Sequence, residues 1–178
     1  GLPVAVAKLV SEANANNDYC KIAEIKSVSI RLFSTIGFIF TIIVILLSYP
    51  FCKYVANLTF AWPSVVMIAP TVIISCIISV YRGYYEGLND MYPTAISQII
   101  ESFVKIISGL LFSYKSFEFL NNNPEMVKNI ADFFNISSSE NEIIYSISSA
   151  AAISGITLSS LLGMLFMIFK SKSDKSII

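Results

Sequence analysis

Four long apolar runs organise this chain of 178 residues, and polar segments separate them. The runs cover residues 32–52, 61–81, 93–117 and 143–169, and only the third contains charged residues. A membrane-spanning helix needs about 20 predominantly apolar residues, so each run predicts one transmembrane helix. Pro70, inside the second run, is expected to kink its helix rather than end it.

The chain opens with a shorter apolar segment, residues 1–12, which is too short to span a membrane. Because the sequence begins with Gly1 rather than Met, we expect residues 1–12 to be a partial helix. We expect residues 1–178 as a whole to be a fragment of a larger transmembrane lobe. The predicted fold is an all-α polytopic transmembrane helix bundle with four full spans plus one partial span.

Composition supports a membrane protein and disfavours several other classes. Hydrophobic residues make up 55% of the chain, charged residues make up 13%, and the mean hydropathy is +0.70, which is unlike a soluble domain. Histidine is absent and the three cysteines are far apart, so neither imidazole chemistry nor a metal site is indicated. We therefore expect no enzyme, no metal, no cofactor and no nucleic-acid partner.

Basic residues fall unequally on the two sides of the membrane if the four spans alternate in direction. The larger group is Lys8, Lys21, Lys26, Arg31, Arg82, Lys170, Lys172 and Lys175, and the smaller group is Lys53, Lys115 and Lys128. The positive-inside rule places the larger group in the cytoplasm. The C-terminal end is then expected to be cytoplasmic.

The segment between the third and fourth spans, residues 116–142, is on this orientation an extracytoplasmic loop. Asn123-Pro124-Glu125 resembles a capped helix start, and apolar residues follow at helical spacing: Val127, Ile130, Ala131 and Phe134. A short amphipathic helix on the outer membrane surface is one interpretation. A frayed polar loop is the other.

Polar residues recur along one face of the third span. Gln98, Glu101, Lys105 and Ser108 are spaced three, four and three residues apart, which places them on one stripe of a helix. Lys105 lies about 18 Å along the helix from Pro93, near the membrane midplane, where an ionisable group is costly. One interpretation is a hydrated cavity that binds a polar or anionic headgroup, and the other is a Glu101–Lys105 ion pair buried against another helix. We favour the cavity because intramembrane charges commonly mark substrate or ion pathways.

A second charged pair, Arg82 and Glu86, lies one helical turn apart at the inner end of the second span. An interfacial anchor is slightly favoured over substrate capture at the mouth of a cavity. The nearby tyrosines suit an aromatic belt at headgroup level: Tyr81, Tyr84, Tyr85 and Tyr92.

Small residues repeat every four positions in the fourth span, at Ala151, Gly155, Ser159 and Gly163. This spacing places them on one face of a helix and lets another helix approach closely. We interpret the stripe as a packing surface.

Four sequence segments carry a family pattern: residues 1–12, Ala69-Pro70, Tyr81–Gly87 and Met91–Glu101. Together they resemble membrane proteins of the stage V sporulation protein B and polysaccharide-export type, from Gly1 to about Gly109. Those proteins are relatives of the MurJ lipid II flippases in the multidrug/oligosaccharidyl-lipid/polysaccharide exporter superfamily. The resemblance implies helices 2–6 of the N-terminal lobe of a two-lobe MATE/MurJ-type transporter in the bacterial cytoplasmic membrane.

The resemblance also implies a function, which is flipping of an undecaprenyl-linked oligosaccharide by alternating access, in cell-wall, spore or polysaccharide biogenesis. The implied partners are a lipid-linked glycan, membrane lipids, and the missing first helix and C-terminal lobe of the same protein. Glu101 and its polar neighbours would then bind substrate. Two alternatives stay open: a cation-coupled multidrug antiporter of the same fold, with Glu101 as its ion site, and a non-transporting membrane scaffold.

Overall fold

The described residues of this computed structural model are 2–55, 61–123, 125–127, 129 and 140–175, and they contain five α-helices and no strand. The helices are α1 (Leu2–Ala15), α2 (Tyr19–Tyr54), α3 (Trp62–Gly87), α4 (Tyr92–Asn122) and α5 (Glu140–Lys175). Four of them, α2 to α5, are long and apolar enough to cross a membrane. The prediction of an all-α polytopic bundle with four membrane-length helices is confirmed.

The helices extend beyond the apolar runs that predicted them. At 36 residues, α2 is about 54 Å long, whereas the hydrocarbon core of a bilayer is about 30 Å thick. It begins at Tyr19, whereas the first apolar run begins at Leu32. The Asp18 carboxylate caps this start by accepting a hydrogen bond from the Lys21 amide at 3.0 Å. An apolar run therefore predicts only the segment of a helix that crosses the hydrocarbon core. The first residue of the helix depends instead on local capping by a polar side chain.

At its far end, α4 reaches Asn122, whereas the sequence places the start of a loop at residue 116. The extension has a tertiary cause, because Leu120 is buried against Val127, Ile143 and Ile144. Within the expected loop, the amides of Met126 and Val127 donate to the Asn123 carbonyl. The anticipated helix start at Pro124, and the positions Ile130, Ala131 and Phe134, lie outside the described residues.

Two tight turns connect the first four helices in pairs, and an asparagine with positive φ ends a helix in each. Asn17 has φ 54° and Asn89 has φ 60°. After α3, the Asp90 amide donates to the Tyr85 carbonyl and the Asn89 amide to the Glu86 carbonyl, both at 3.0 Å. Asparagine tolerates this left-handed conformation, so Asn89 allows the chain to turn between α3 and α4.

The described chain divides into two compact units, of which the first comprises residues 1–40, 71–102 and 160–178. Within it, α1 packs directly on glycines of α3. A Cβ added to Gly87 would lie 2.6 Å from Val10 Cβ and 2.7 Å from the Ala7 carbonyl oxygen. Because real Cβ atoms do not approach so closely, a residue without a side chain is required at this crossing.

Aromatic residues form a second packed cluster in the first unit. Tyr81 and Tyr85 of α3 are buried together with Met167 of α5. The sequence predicts that these two residues belong to an aromatic belt at headgroup level, and the structure shows that their rings pack against α5. Tyr92, in contrast, is exposed.

The second unit comprises residues 41–70 and 103–159. Here α5 approaches α4 through Gly155, where an added Cβ would lie 2.8 Å from the Gly109 amide nitrogen. The Ser108 hydroxyl shares its single proton between the Gly155 carbonyl at 3.1 Å and the Val104 carbonyl of its own helix at 2.5 Å. The stripe of small residues in α5 is thus a packing surface at Gly155, as predicted.

Pro70 lies inside α3, which continues on both sides of it. Proline removes one backbone donor from a helix and disturbs the turn before it. Two hydroxyls from other helices bind carbonyls in this turn: Thr41 donates to Ala69 at 3.3 Å and Thr157 donates to Met67 at 3.2 Å. Such hydroxyls satisfy carbonyls near a proline where water is absent.

Candidate functional site

An ion pair joins two membrane-length helices within the first unit. Arg82 Nη2 of α3 lies 2.9 Å from Glu101 Oε1 of α4, and each side chain is 22% exposed. The same nitrogen lies 3.4 Å from the hydroxyl oxygen of Ser97. We call these three residues the Arg82–Glu101 cluster.

Local structure explains how the cluster forms. The turn at Asn89 reverses the chain between α3 and α4, so residues before and after the turn face each other. Ser97 lies one helical turn before Glu101, is fully buried, and donates its hydroxyl proton to the Thr94 carbonyl at 2.9 Å. Its oxygen is thereby oriented to accept from Arg82.

Helix α5 closes the cluster from a third direction through Gly163. A Cβ added there would lie 2.6 Å from Glu101 Cγ. The carboxylate side chain therefore rests directly on the α5 backbone. Gly163 belongs to the predicted stripe of small residues, and here the space that it leaves accommodates a charged side chain.

Arg82 keeps hydrogen-bonding capacity that its neighbours do not use. Among the described residues, its Nε is buried without a hydrogen-bond partner. A guanidinium presents five donors in a planar fork that suits carboxylates and phosphates. Glu101 accepts a hydrogen bond from Nη2 at 2.9 Å, so this arginine has the chemistry of an anion-binding group that already holds one anion.

The predicted polar stripe of α4 has members in different surroundings. In the first unit, Gln98 is exposed and Glu101 is half-buried in its ion pair. In the second unit, Lys105 is exposed, whereas Ser108 is buried and bonded to carbonyls of α4 and α5. Ser108 thus serves helix packing in this structure.

The sequence anticipated ion pairs within single helices, but the structure shows a pair between helices. Helical spacing suggested that Arg82 pairs with Glu86 and that Glu101 pairs with Lys105. In the structure, Arg82 pairs with Glu101. Glu86 is half-buried. Helical spacing identifies neighbours on one helix only, whereas the partner here depends on which helix stands opposite.

Sequence reasoning missed the environment of Lys26, which it counted only as a basic residue for orientation. The side chain is 7% exposed. Its ammonium lies 5.1 Å from the ring centroid of Tyr81 and 4.3 Å from that of Tyr84, and it donates to the Ser171 hydroxyl. The i, i+3 spacing of the two tyrosines signals a shared face, but nothing local in the sequence indicates Lys26 as its partner.

Metal-ligating side chains do not converge in the part of the chain that the structure describes. No group of three or more Cys, Asp or Glu side chains is close enough there to hold an ion. Cys20, Cys52 and Cys76 are free.

Comparisons with known proteins match the region that contains this cluster. A family model described as "Polysaccharide biosynthesis protein" matches residues 1–118. Stage V sporulation protein B of Bacillus subtilis (strain 168) is 35% identical over 106 residues, which are 60% of this chain and 20% of that protein. Lipid II flippase MurJ of the same strain is 29% identical over 116 residues, which are 60% of this chain and 21% of that protein. This chain thus matches about a fifth of the length of these curated relatives, and no solved structure matches it significantly.

Proposed function

This chain belongs to the polysaccharide biosynthesis protein family, and from that membership we propose that it forms part of a flippase for an undecaprenyl-linked oligosaccharide. The flippase moves its cargo across the bacterial cytoplasmic membrane by alternating access, in cell-wall, spore or polysaccharide biogenesis. The name of one relative, lipid II flippase MurJ, supports this class of cargo, and the name of the other, stage V sporulation protein B, supports a role in spore formation. The four membrane-length helices are those of a multi-pass membrane protein.

The observation that carries the proposal is the Arg82–Glu101 ion pair between α3 and α4. A flippase must keep a sugar diphosphate headgroup in polar surroundings while the prenyl tail stays in lipid. Charged groups among membrane helices are costly and mark such paths. Arg82 is the group in this cluster that suits a diphosphate, because guanidinium groups bind phosphate oxygens in pairs.

Glu101 supplies the counter-charge that Arg82 needs when no cargo is bound. An incoming diphosphate competes with the carboxylate for the same guanidinium. Exchange of one anion for the other changes the contact between α3 and α4, and a ligand shifts a conformational equilibrium only through such differences in binding energy. The cluster thereby couples cargo binding to helix movement.

Two exposed polar residues of α4, Gln98 and Lys105, extend the proposed path. Lys105 follows Glu101 by one helical turn, which is about 6 Å along the helix. We assign it to the polar lining that faces the cargo headgroup. A first helix and a C-terminal lobe of the same protein complete the cavity. The unequal distribution of Lys and Arg between the two sides of the membrane supports a cytoplasmic C-terminal end of this chain.

A cation-coupled multidrug antiporter is a weaker proposal for the same fold. Glu101 would be its ion site, but Arg82 already neutralises that carboxylate. A transported cation would have to displace a covalently anchored guanidinium. A scaffold without transport has no need for a charged pair between membrane helices, so the flippase is the function that the cluster supports best.

Replacing Lys105 with Met is expected to lower transport at least tenfold without loss of folded protein. Lys105 is exposed in this structure, so its removal deletes a charge and leaves helix packing intact. The measurement is complementation of a bacterial strain depleted of its own lipid II flippase, with a full-length protein that contains this chain. Immunoblots of membranes report the protein level.

Lys115→Met is the matched control, because Lys115 is also an exposed lysine of α4 and lies near the end of the helix. We expect it to complement fully. If both variants lose transport equally, the loss reflects the removal of any positive charge from α4, and Lys105 does not line the proposed path. Resistance of cells to cationic drugs, without any complementation by the wild-type protein, would contradict the flippase and favour the antiporter.

A further inference from the structure

A cavity of about 240 Å³ lies between α2, α3 and α5 in the first unit, and basic and hydroxyl side chains line it. Lys26 and Ser27 come from α2, Tyr81 comes from α3, and Ser171 and Lys172 come from α5. Two cations from different helices thus converge on one space.

The Lys26 ammonium is built into the wall of this cavity. Its side chain is 7% exposed and its charge lies over the rings of Tyr81 and Tyr84. Cation–π contacts stabilise an ammonium that has lost water. The Ser171 hydroxyl, which accepts from Lys26, is also buried, so the positive charge is held in position rather than displayed on a mobile side chain.

The cavity lies at the level of lipid headgroups if the apolar runs span the hydrocarbon core. Lys26 precedes the first run, which begins at Leu32, by about 9 Å along α2. Lys172 follows the last apolar residue of the fourth run, Phe169, within one turn. Apolar side chains of Ile30 and Ile168 line the same cavity, and they give an acyl chain a surface on which to lie.

We propose that this cavity binds the phosphate group of an anionic membrane lipid. Basic pockets between membrane helices suit anionic headgroups, and here the hydroxyls of Ser27 and Tyr81 add hydrogen-bond donors. The apolar wall favours a lipid over a free phosphate ion. A space of this size accommodates a phosphodiester headgroup but not an oligosaccharide.

This site is separate from the Arg82–Glu101 cluster. Tyr81 and Arg82 are consecutive in α3, so their side chains leave the helix in directions about 100° apart. Lipid binding at Lys26 therefore does not depend on the proposed transport, and the two can be tested independently.

The test measures binding of a fluorescent phosphatidylglycerol to the purified full-length protein in nanodiscs of phosphatidylcholine. Lys172→Gln is the primary variant, because Lys172 is exposed at the cavity and its replacement leaves helix packing intact. We expect about fivefold weaker binding for each lysine removed, and therefore a larger loss in the double variant with Lys26→Gln. Thermal unfolding identifies any variant that fails to fold.

Lys8→Gln is the matched control, since Lys8 is an exposed lysine of α1 in the same unit and does not line the cavity. It is expected to bind like the wild type. Equal losses for Lys8→Gln and Lys172→Gln would overturn the site, as would equal affinity for a fluorescent phosphatidylcholine. If inorganic phosphate at the same concentration displaces the lipid, the ligand of the cavity is a free anion and the proposed lipid site is wrong.

Discussion

Removing both charges of the Arg82–Glu101 ion pair, in the double variant Arg82→Met with Glu101→Gln, is expected to abolish transport while leaving the protein nearly as stable as the wild type. Each single variant leaves one charge without its partner at 2.9 Å. We expect each to lower the free energy of unfolding by about 1–3 kcal/mol, between the values for exposed and buried pairs. The double variant recovers most of this loss, because neither charge then remains unpaired.

The measurement combines complementation of a flippase-depleted strain with detergent unfolding of the purified full-length protein. Glu118→Gln serves as the control, since Glu118 is an exposed carboxylate of α4, and it is expected to transport normally. Wild-type transport in the double variant would show that the pair only holds α3 to α4. Loss of transport with recovered stability identifies a role in transport.

Replacing Gly155 with Ala is expected to lower the free energy of unfolding by about 1–2 kcal/mol, because overpacking costs up to about 3 kcal/mol and the higher helix propensity of alanine offsets about 1 kcal/mol of it. The added Cβ would lie 2.8 Å from the Gly109 amide nitrogen and 2.9 Å from the Ser108 carbonyl carbon. Both atoms belong to the α4 backbone, which cannot turn aside as a side chain does. The two helices must separate, and the hydrogen bond from Ser108 to the Gly155 carbonyl at 3.1 Å is weakened.

Gly109→Ala is the matched control at the same helix crossing. A Cβ there would meet only the Ala152 carbonyl oxygen at 3.7 Å, which is an ordinary contact. Because alanine also favours helix by about 1 kcal/mol over glycine, this variant is expected to be neutral or slightly stabilising. Titration with sodium dodecyl sulfate in mixed micelles measures both, and equal stability of the two variants would show that α4 and α5 are not in contact through Gly155.

Much of the fold follows from local patterns. Apolar runs predict the four membrane-length helices because burial in hydrocarbon depends on the composition of each segment alone. The turn at Asn89-Asp90 is equally local, since asparagine tolerates the left-handed backbone there. Helix ends are less predictable: α4 continues to Asn122 because Leu120 is packed against α5, and no local pattern contains that contact.

The candidate site is predictable only in part. The spacing of Gln98, Glu101 and Lys105 identifies a polar face on α4, and the cost of charge in a membrane makes that face a candidate for a functional role. Spacing could not identify Arg82 as the partner of Glu101, because the two residues lie on different helices. The spacing of small residues predicted that Gly163 lies at a helix contact. It did not predict that the group packed against Gly163 is the Glu101 side chain.

The sequence by itself determined the membrane class, the four spanning segments, the reversal at Asn89 and the polar face of α4. Each of these depends on the transfer energy of one segment or on the backbone preferences of adjacent residues. Only the tertiary structure decided that Arg82 binds Glu101, that Tyr81 and Tyr85 are buried, and that Lys26 lies within a cavity. Those outcomes depend on which helix faces meet, and the free energy that selects them arises from contacts between residues far apart in the chain.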